Sequence, residues 1–156
     1  MPKYRRLTLQ ELEPLEQEFV EYLVLNGIAA DDWEKMKAES PEKASRIVDL
    51  FSDVVFEKIL RTTRFIEYRS KSKLLAYQCL EDKMVCVGMT VPENAAFDFR
   101  DTTMINRAAQ SPPAGLGVFT KDIAYEQPRE AVLFRLLSNG FEISDGHLFK
   151  TLCLVL

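Results

Sequence analysis

The sequence predicts an α+β domain with N-terminal helices, an antiparallel meander of three to four strands, and C-terminal helices packed on the sheet. Two observations carry this reading. Apolar residues keep a helical spacing through Ile59, alternate with a period of two between Phe65 and Val91, and return to the helical spacing after Pro128. Helix-start and helix-stop residues punctuate the first and last thirds, whereas short polar turns punctuate the middle. The 156 residues are 47% apolar and 28% charged, a globular balance read as one domain with a core that needs no disulfide or metal staple.

Thr8-Leu-Gln-Glu11 has the form of a capping box, in which the threonine oxygen accepts from an early backbone N–H and the glutamate reaches back to the cap. A helix begins there. Leu12, Leu15, Phe19, Tyr22 and Leu23 continue it as an apolar stripe, and Asn26-Gly27 supplies the stop. Pro14 either kinks this helix or opens its regular part as the first helical residue. Asp31-Asp-Trp-Glu34 is a second capping pattern, and Ser40-Pro41 is a third. From Ala44 through Ile47, Val48, Phe51, Val54, Val55 and Ile59 the helical period persists, which places the end of the third helix between Arg61 and Thr63.

Three β-like segments follow, Phe65 to Arg69, Leu74 to Leu80 and Met84 to Val91, joined by Ser70-Lys-Ser-Lys73 and Glu81-Asp-Lys83. Such short polar connections suit an antiparallel meander. Both alternating sets contain apolar residues, so the sheet is expected to be covered over more than one face. Pro92 ends the third segment because it cannot donate to the ladder. Beyond it, a short helix after Asp101, a turn-rich loop at Ser111-Pro-Pro-Ala-Gly-Leu-Gly117 and a fourth strand from Val118 are expected. Gln127-Pro128 opens a further helix that Asn139-Gly140 closes, and Ser144-Asp145 caps a last one running to Leu156.

Twenty basic and 24 acidic residues leave a net charge of −4, which excludes a surface built throughout for phosphate. That total conceals an asymmetry. Residues 11 to 57 carry thirteen acids and four bases, whereas residues 58 to 73 carry six bases against Glu67. Arg61, Arg64, Arg69, Lys71 and Lys73, interleaved with Phe65 and Tyr68, could form a single-stranded nucleic-acid or anion-binding platform, where bases stack on rings beside cations. The plainer reading turns the rings into the core, makes the lysines guards of a strand edge, and pairs the cations with the acidic helices.

No apolar run approaches the length of a membrane-spanning helix, and no signal-peptide core follows Lys3-Tyr-Arg-Arg6. Cys79, Cys86 and Cys153 lack CxxC spacing, so neither a disulfide framework nor a metal site is indicated, and the chain reads as a cytoplasmic protein with buried thiols. GxSxG and Walker motifs are absent, and Gly115-Leu-Gly117 lacks the remaining spacing of a dinucleotide loop. No cofactor is implied. His147 is the sole histidine, two residues from Asp145 and thus about 200° away on a helix, so the pair does not converge on one metal if that turn is helical. Together with Asp98 and Asp101 these residues are the candidates for acid–base chemistry. The apolar tail, with Leu148, Phe149, Leu152 and Leu156, either packs in the core or forms a protein interface, with a homodimer the simplest form. The leading functional reading is therefore a non-enzymatic protein-interaction or structural domain, with nucleic-acid binding second and a small-molecule enzyme third.

Tyr4-Arg-Arg-Leu-Thr8, Glu11-Leu12, Glu18-Phe19, Asp31-Asp-Trp33, Phe51-Ser-Asp-Val-Val-Phe56, Cys79-Leu-Glu-Asp-Lys83, Ser144-Asp-Gly146 and Leu148-Phe-Lys150 together resemble a family of small uncharacterised bacterial proteins. The resemblance spans most of the chain and implies an intracellular bacterial protein, with no activity to carry over. Pro14 departs from the unbroken run of helix formers in that family.

Overall fold

The computed structural model describes residues 2–155, and it is α+β. The chain divides into two compact units, Met1–Arg61 and Thr62–Leu156. No described helix is long and apolar enough to cross a membrane.

The first unit is helical. Thr8 and Glu11 form the expected reciprocal capping box at the start of α1 (Leu9–Leu12). Pro14 sits in a single 3-10 turn, Glu13–Leu15, which joins α1 to α2 (Glu16–Leu25), so the proline changes the pitch without ending the helical path. At the far end Gly27 takes φ +74, and the Ile28 N–H donates to the Leu23 carbonyl at 2.9 Å. This is the six-to-one bond of a Schellman stop. Next comes α3 (Ala30–Glu39), whose N-cap is Ala29, so Asp31 and Asp32 lie inside its first turn rather than capping it. There they still oppose the positive helix end. Pro41 opens α4 (Pro41–Thr62), and the Ser40 carbonyl accepts from Lys43 and Ala44. Phe51 of α4 is buried, with Phe19 and Tyr22 of α2 at ring-centroid distances of 5.0 and 5.4 Å, and Trp33 of α3 meets Phe19 at 5.2 Å.

The second unit is a five-stranded antiparallel sheet of order β4-β3-β2-β1-β5 with three helices. Its strands are β1 (Phe65–Arg69), β2 (Lys73–Cys79), β3 (Lys83–Thr90), β4 (Gly117–Ala124) and β5 (Glu142–Ser144). The meander of β1 to β4 follows the expected order. β5 is an addition that three residues are too short to announce, and it pairs with Phe65–Glu67 of β1. β1 therefore lies between β2 and β5 over Phe65–Glu67, while Arg69, at the end of β1, lies beyond the residues that β5 pairs with.

Helices α5 (Thr102–Gln110), α6 (Arg129–Ser138) and α7 (His147–Val155) complete the unit. On one face of the sheet Leu74, Ala76, Val87 and Met89 pack with Ala108 of α5, with Phe149 and Leu152 of α7, and with Phe97 and Phe99 from the loop after β3. On the other face Tyr68 and Tyr77 meet Phe141 at centroid distances of 5.3 and 5.0 Å. Both faces are thus covered at these points, as the apolar character of both alternating sets requires.

Candidate functional site

Two of the four acid–base candidates serve as local caps. Asp101 accepts from the Thr103 N–H at 2.9 Å and from its hydroxyl at 2.7 Å, which starts α5 and holds the carboxyl below its usual range. Asp145 accepts from the His147 N–H at 2.9 Å just before α7. Asp98 grips Arg100 through two guanidinium bonds of 2.9 and 2.8 Å, and this pairing pulls its carboxyl down to about 2. Asp98 and Asp101 are thereby held ionised at neutral pH, the opposite of a carboxyl poised to donate a proton. Among the described residues, no group of three or more His, Cys, Asp or Glu side chains is placed to hold a metal.

The two buried thiols, Cys79 and Cys86, are equally unsuited to nucleophilic work. Burial pushes Cys79 and Cys86 up to about 11, so both stay protonated. Cys153 corrects the expectation of three buried thiols: it lies on the exposed side of α7.

The structure does not gather the basic segment into one platform. Arg69 and Leu74 face each other across β1 and β2, as do Tyr68 and Leu75, so alternation places Arg69 on one sheet face and Tyr68 and Lys73 on the other. Arg61 pairs with Glu57 one turn back at 3.4 Å, and the Lys71 ammonium donates to the carbonyls of Glu93 and Ala95, each at 3.0 Å. Arg64 precedes β1, and its carbonyl accepts from the Cys79 N–H at 2.7 Å. Phe65 packs against Phe149 and Tyr68 against Phe141, so both rings take part in packing within this unit.

What the structure does bring together is a groove between α5 and α7, about 460 Å³ in volume. Its floor follows from strand register: Arg69 stands opposite Leu74, Leu74 opposite Met89, and Met89 opposite Val118. The helices form the walls by four-residue spacing. Thr102 and Asn106 of α5, and His147 and Thr151 of α7, are exposed at the rim. Beneath them Ile105, Ala108, Leu148 and Leu152 are half-buried or buried. A polar stripe one turn apart above an apolar stripe is what two amphipathic helices present when each turns its apolar side toward a sheet.

Arg69 also lines a second, smaller cleft of about 240 Å³ with Glu67, Arg100, Gly140 and Glu142. Glu67 and Glu142 are cross-strand partners, a like-charge pair that Arg69 tempers from 3.3 Å beside Glu67.

Of the apolar tail, Phe149 and Leu152 are buried in the sheet core and Leu148 packs against it, while Leu156 lies outside the described residues. Arg69, His147, Leu148 and Leu152 thus converge on the groove, although the sequence singled them out for three different reasons. Met89, Ile105, Asn106 and Thr151 gave no signal of their own beyond helical and strand periodicity.

No curated protein and no solved structure matches the chain. Its family is nonetheless defined: matched over residues 1–156, the chain belongs to DUF6495, a family of unknown function.

Proposed function

We propose that this chain is a non-enzymatic binding domain whose binding element is the groove between α5 and α7. The observation that carries the reading is the groove's make-up: about 460 Å³, an apolar floor and inner walls, and a few polar groups at the rim. Small-molecule sites have this size and composition. The non-enzymatic part is supported by the caps and ion pairs that engage Asp98, Asp101 and Asp145. Three free cysteines agree with a reducing, cytoplasmic setting.

Binding of Nile red, a neutral apolar dye, tests the reading. The wild-type chain is expected to bind it with one-to-one stoichiometry and a rise in fluorescence. Thr151→Trp, which fills the groove from its exposed rim, is expected to abolish that rise without lowering the unfolding midpoint. Equal dye binding by both proteins overturns the reading.

Contact with a second copy of the chain is a further reading, favoured by one observation. Leu154, in the last turn of α7, is 89% exposed beside the exposed Cys153. Light scattering at micromolar concentration is expected to show a dimer that Leu154→Asp dissociates, and a wild-type monomer removes this reading.

A further inference from the structure

The groove is chemically graded along its floor. Arg69 occupies one end of the cross-strand row and Val118 the other, three strand spacings apart. At about 4.8 Å per spacing, that separates a cation from an apolar end by roughly 14 Å. The chain has 24 acidic residues, yet no carboxylate lines this groove among the described residues, where the only ionisable groups are Arg69 and His147.

The charge at the Arg69 end limits what it accepts. Among the described residues, the guanidinium makes one side-chain hydrogen bond, to Glu67 at 3.3 Å, out of five N–H donors in its planar fork. The remaining donors match a planar carboxylate. Glu67 and its cross-strand partner Glu142 stand close by, and Arg100, which lines the same cleft, is held by Asp98, so each negative charge added to the head meets two carboxylates and leaves Arg69 to offset it, which favours a head with one charge over a head with two.

We propose that the groove binds a monocarboxylate with an apolar tail, the chemistry of a medium-chain fatty acid, with its head on Arg69 and its tail toward Val118. The proposal rests on the groove being the binding element. Arg69 is a positioning cation here, and no bond is made or broken.

Calorimetric titration of the full chain with decanoate, decanol and decyl phosphate tests it. Decanoate is expected to bind at least about ten-fold tighter than decanol, the usual effect of one charge-assisted hydrogen-bond pair. In the double variant Arg69→Gln with Glu67→Gln, which removes both partners of the ion pair and leaves no new unpaired charge between them, the two ligands are expected to bind alike. Glu67→Gln alone removes the competing acceptor and is expected to tighten decanoate several-fold with decanol unchanged. Equal binding of decanoate and decanol to the wild type overturns the head-group assignment while leaving the groove as the binding element. Tighter binding of decyl phosphate than decanoate overturns the single-charge assignment. Failure of all three ligands and of Nile red to bind overturns both this proposal and the functional reading beneath it.

Discussion

The backbone N–H of Leu7 donates to the hydroxyl of Ser52 at 3.0 Å, and that hydroxyl donates to the Val48 carbonyl at 2.8 Å. Ser52 is wholly buried and Leu7 is 5% exposed, so water cannot replace the bond. One side chain therefore fixes the segment before α1 onto the middle of α4. Ser52→Ala leaves a buried N–H without an acceptor, a defect that costs about 1–3 kcal/mol. Urea denaturation is expected to show that loss. Ser138→Ala is the control: its hydroxyl makes the same bond one turn back, to Phe134, but on an exposed helix face. There the change should stay within about 0.5 kcal/mol. Equal effects from the two variants contradict the assignment.

The same segment carries the pH dependence. Arg5 donates to both Glu11 oxygens at 2.7 and 2.9 Å, and the Thr8 N–H donates to one of them, so the Glu11 carboxyl is held at about 2. Arg6 holds Asp49 below its usual range, and the hydroxyl of Tyr4, with Lys3, does the same to Glu57. Each carboxyl titrates lower in the folded chain than in the unfolded one. Their contribution is complete above the unfolded carboxylate range near about 4, and it is lost as pH falls from there toward 2. Glu11 is 38% exposed, so solvent screening keeps its share small, and the informative quantity is the slope. The urea midpoint is expected to fall between pH 5 and 2, and more shallowly in Glu11→Gln. An unchanged slope in that variant removes Glu11 from the account.

These relationships mark what one sequence can disclose. The capping box at Thr8, the glycine stops at Gly27 and Gly140 and the meander are local, because their signals lie within one or two turns or one strand of the residues they organise. β5 escaped because three residues carry too little alternation, and its partner Phe65–Glu67 is some seventy-five residues earlier. Asp31 misled because a first-turn carboxylate and a capping carboxylate look alike when only spacing is known. The groove was illegible for a related reason. Arg69, Met89 and Val118 become one row only through the register of four strands, which no neighbouring residue encodes.

Gly146 separates two costs that a glycine can avoid. Its φ is +88, and a Cβ there would lie 2.6 Å from two atoms of the Phe65 ring, which itself packs on Phe149. Gly27 has a similar φ of +74, but a Cβ there meets nothing within 4 Å. Gly27→Ala is therefore expected to cost about 1–2 kcal/mol from the left-handed backbone alone. Gly146→Ala adds an overpacking cost of about 1–3 kcal/mol. Paired denaturation curves check the difference, and equal losses would show that the Phe65 ring moves aside freely.

Arg129 ties three backbone carbonyls of the second unit together. It opens α6, its side chain is only 10% exposed, and it donates to the carbonyls of Leu80 and Cys79, each at 3.1 Å, and to that of Thr63. Those acceptors lie just before β1 and at the end of β2, so one planar fork joins the helix start to two strand ends. Arg129→Met keeps the stem and removes the donors, and is expected to cost about 2–4 kcal/mol, since several charge-assisted bonds go at once. Arg129→Lys restores the charge but not the fork, and should recover only part of the loss. Tyr125→Phe provides the comparison, because its hydroxyl reaches the Leu80 carbonyl at 2.7 Å but Arg129 still serves that acceptor. It should cost about 1 kcal/mol, the net worth of one neutral hydrogen bond. If Arg129→Met is no worse than Tyr125→Phe, the three-carbonyl tie has no energetic weight beyond its geometry.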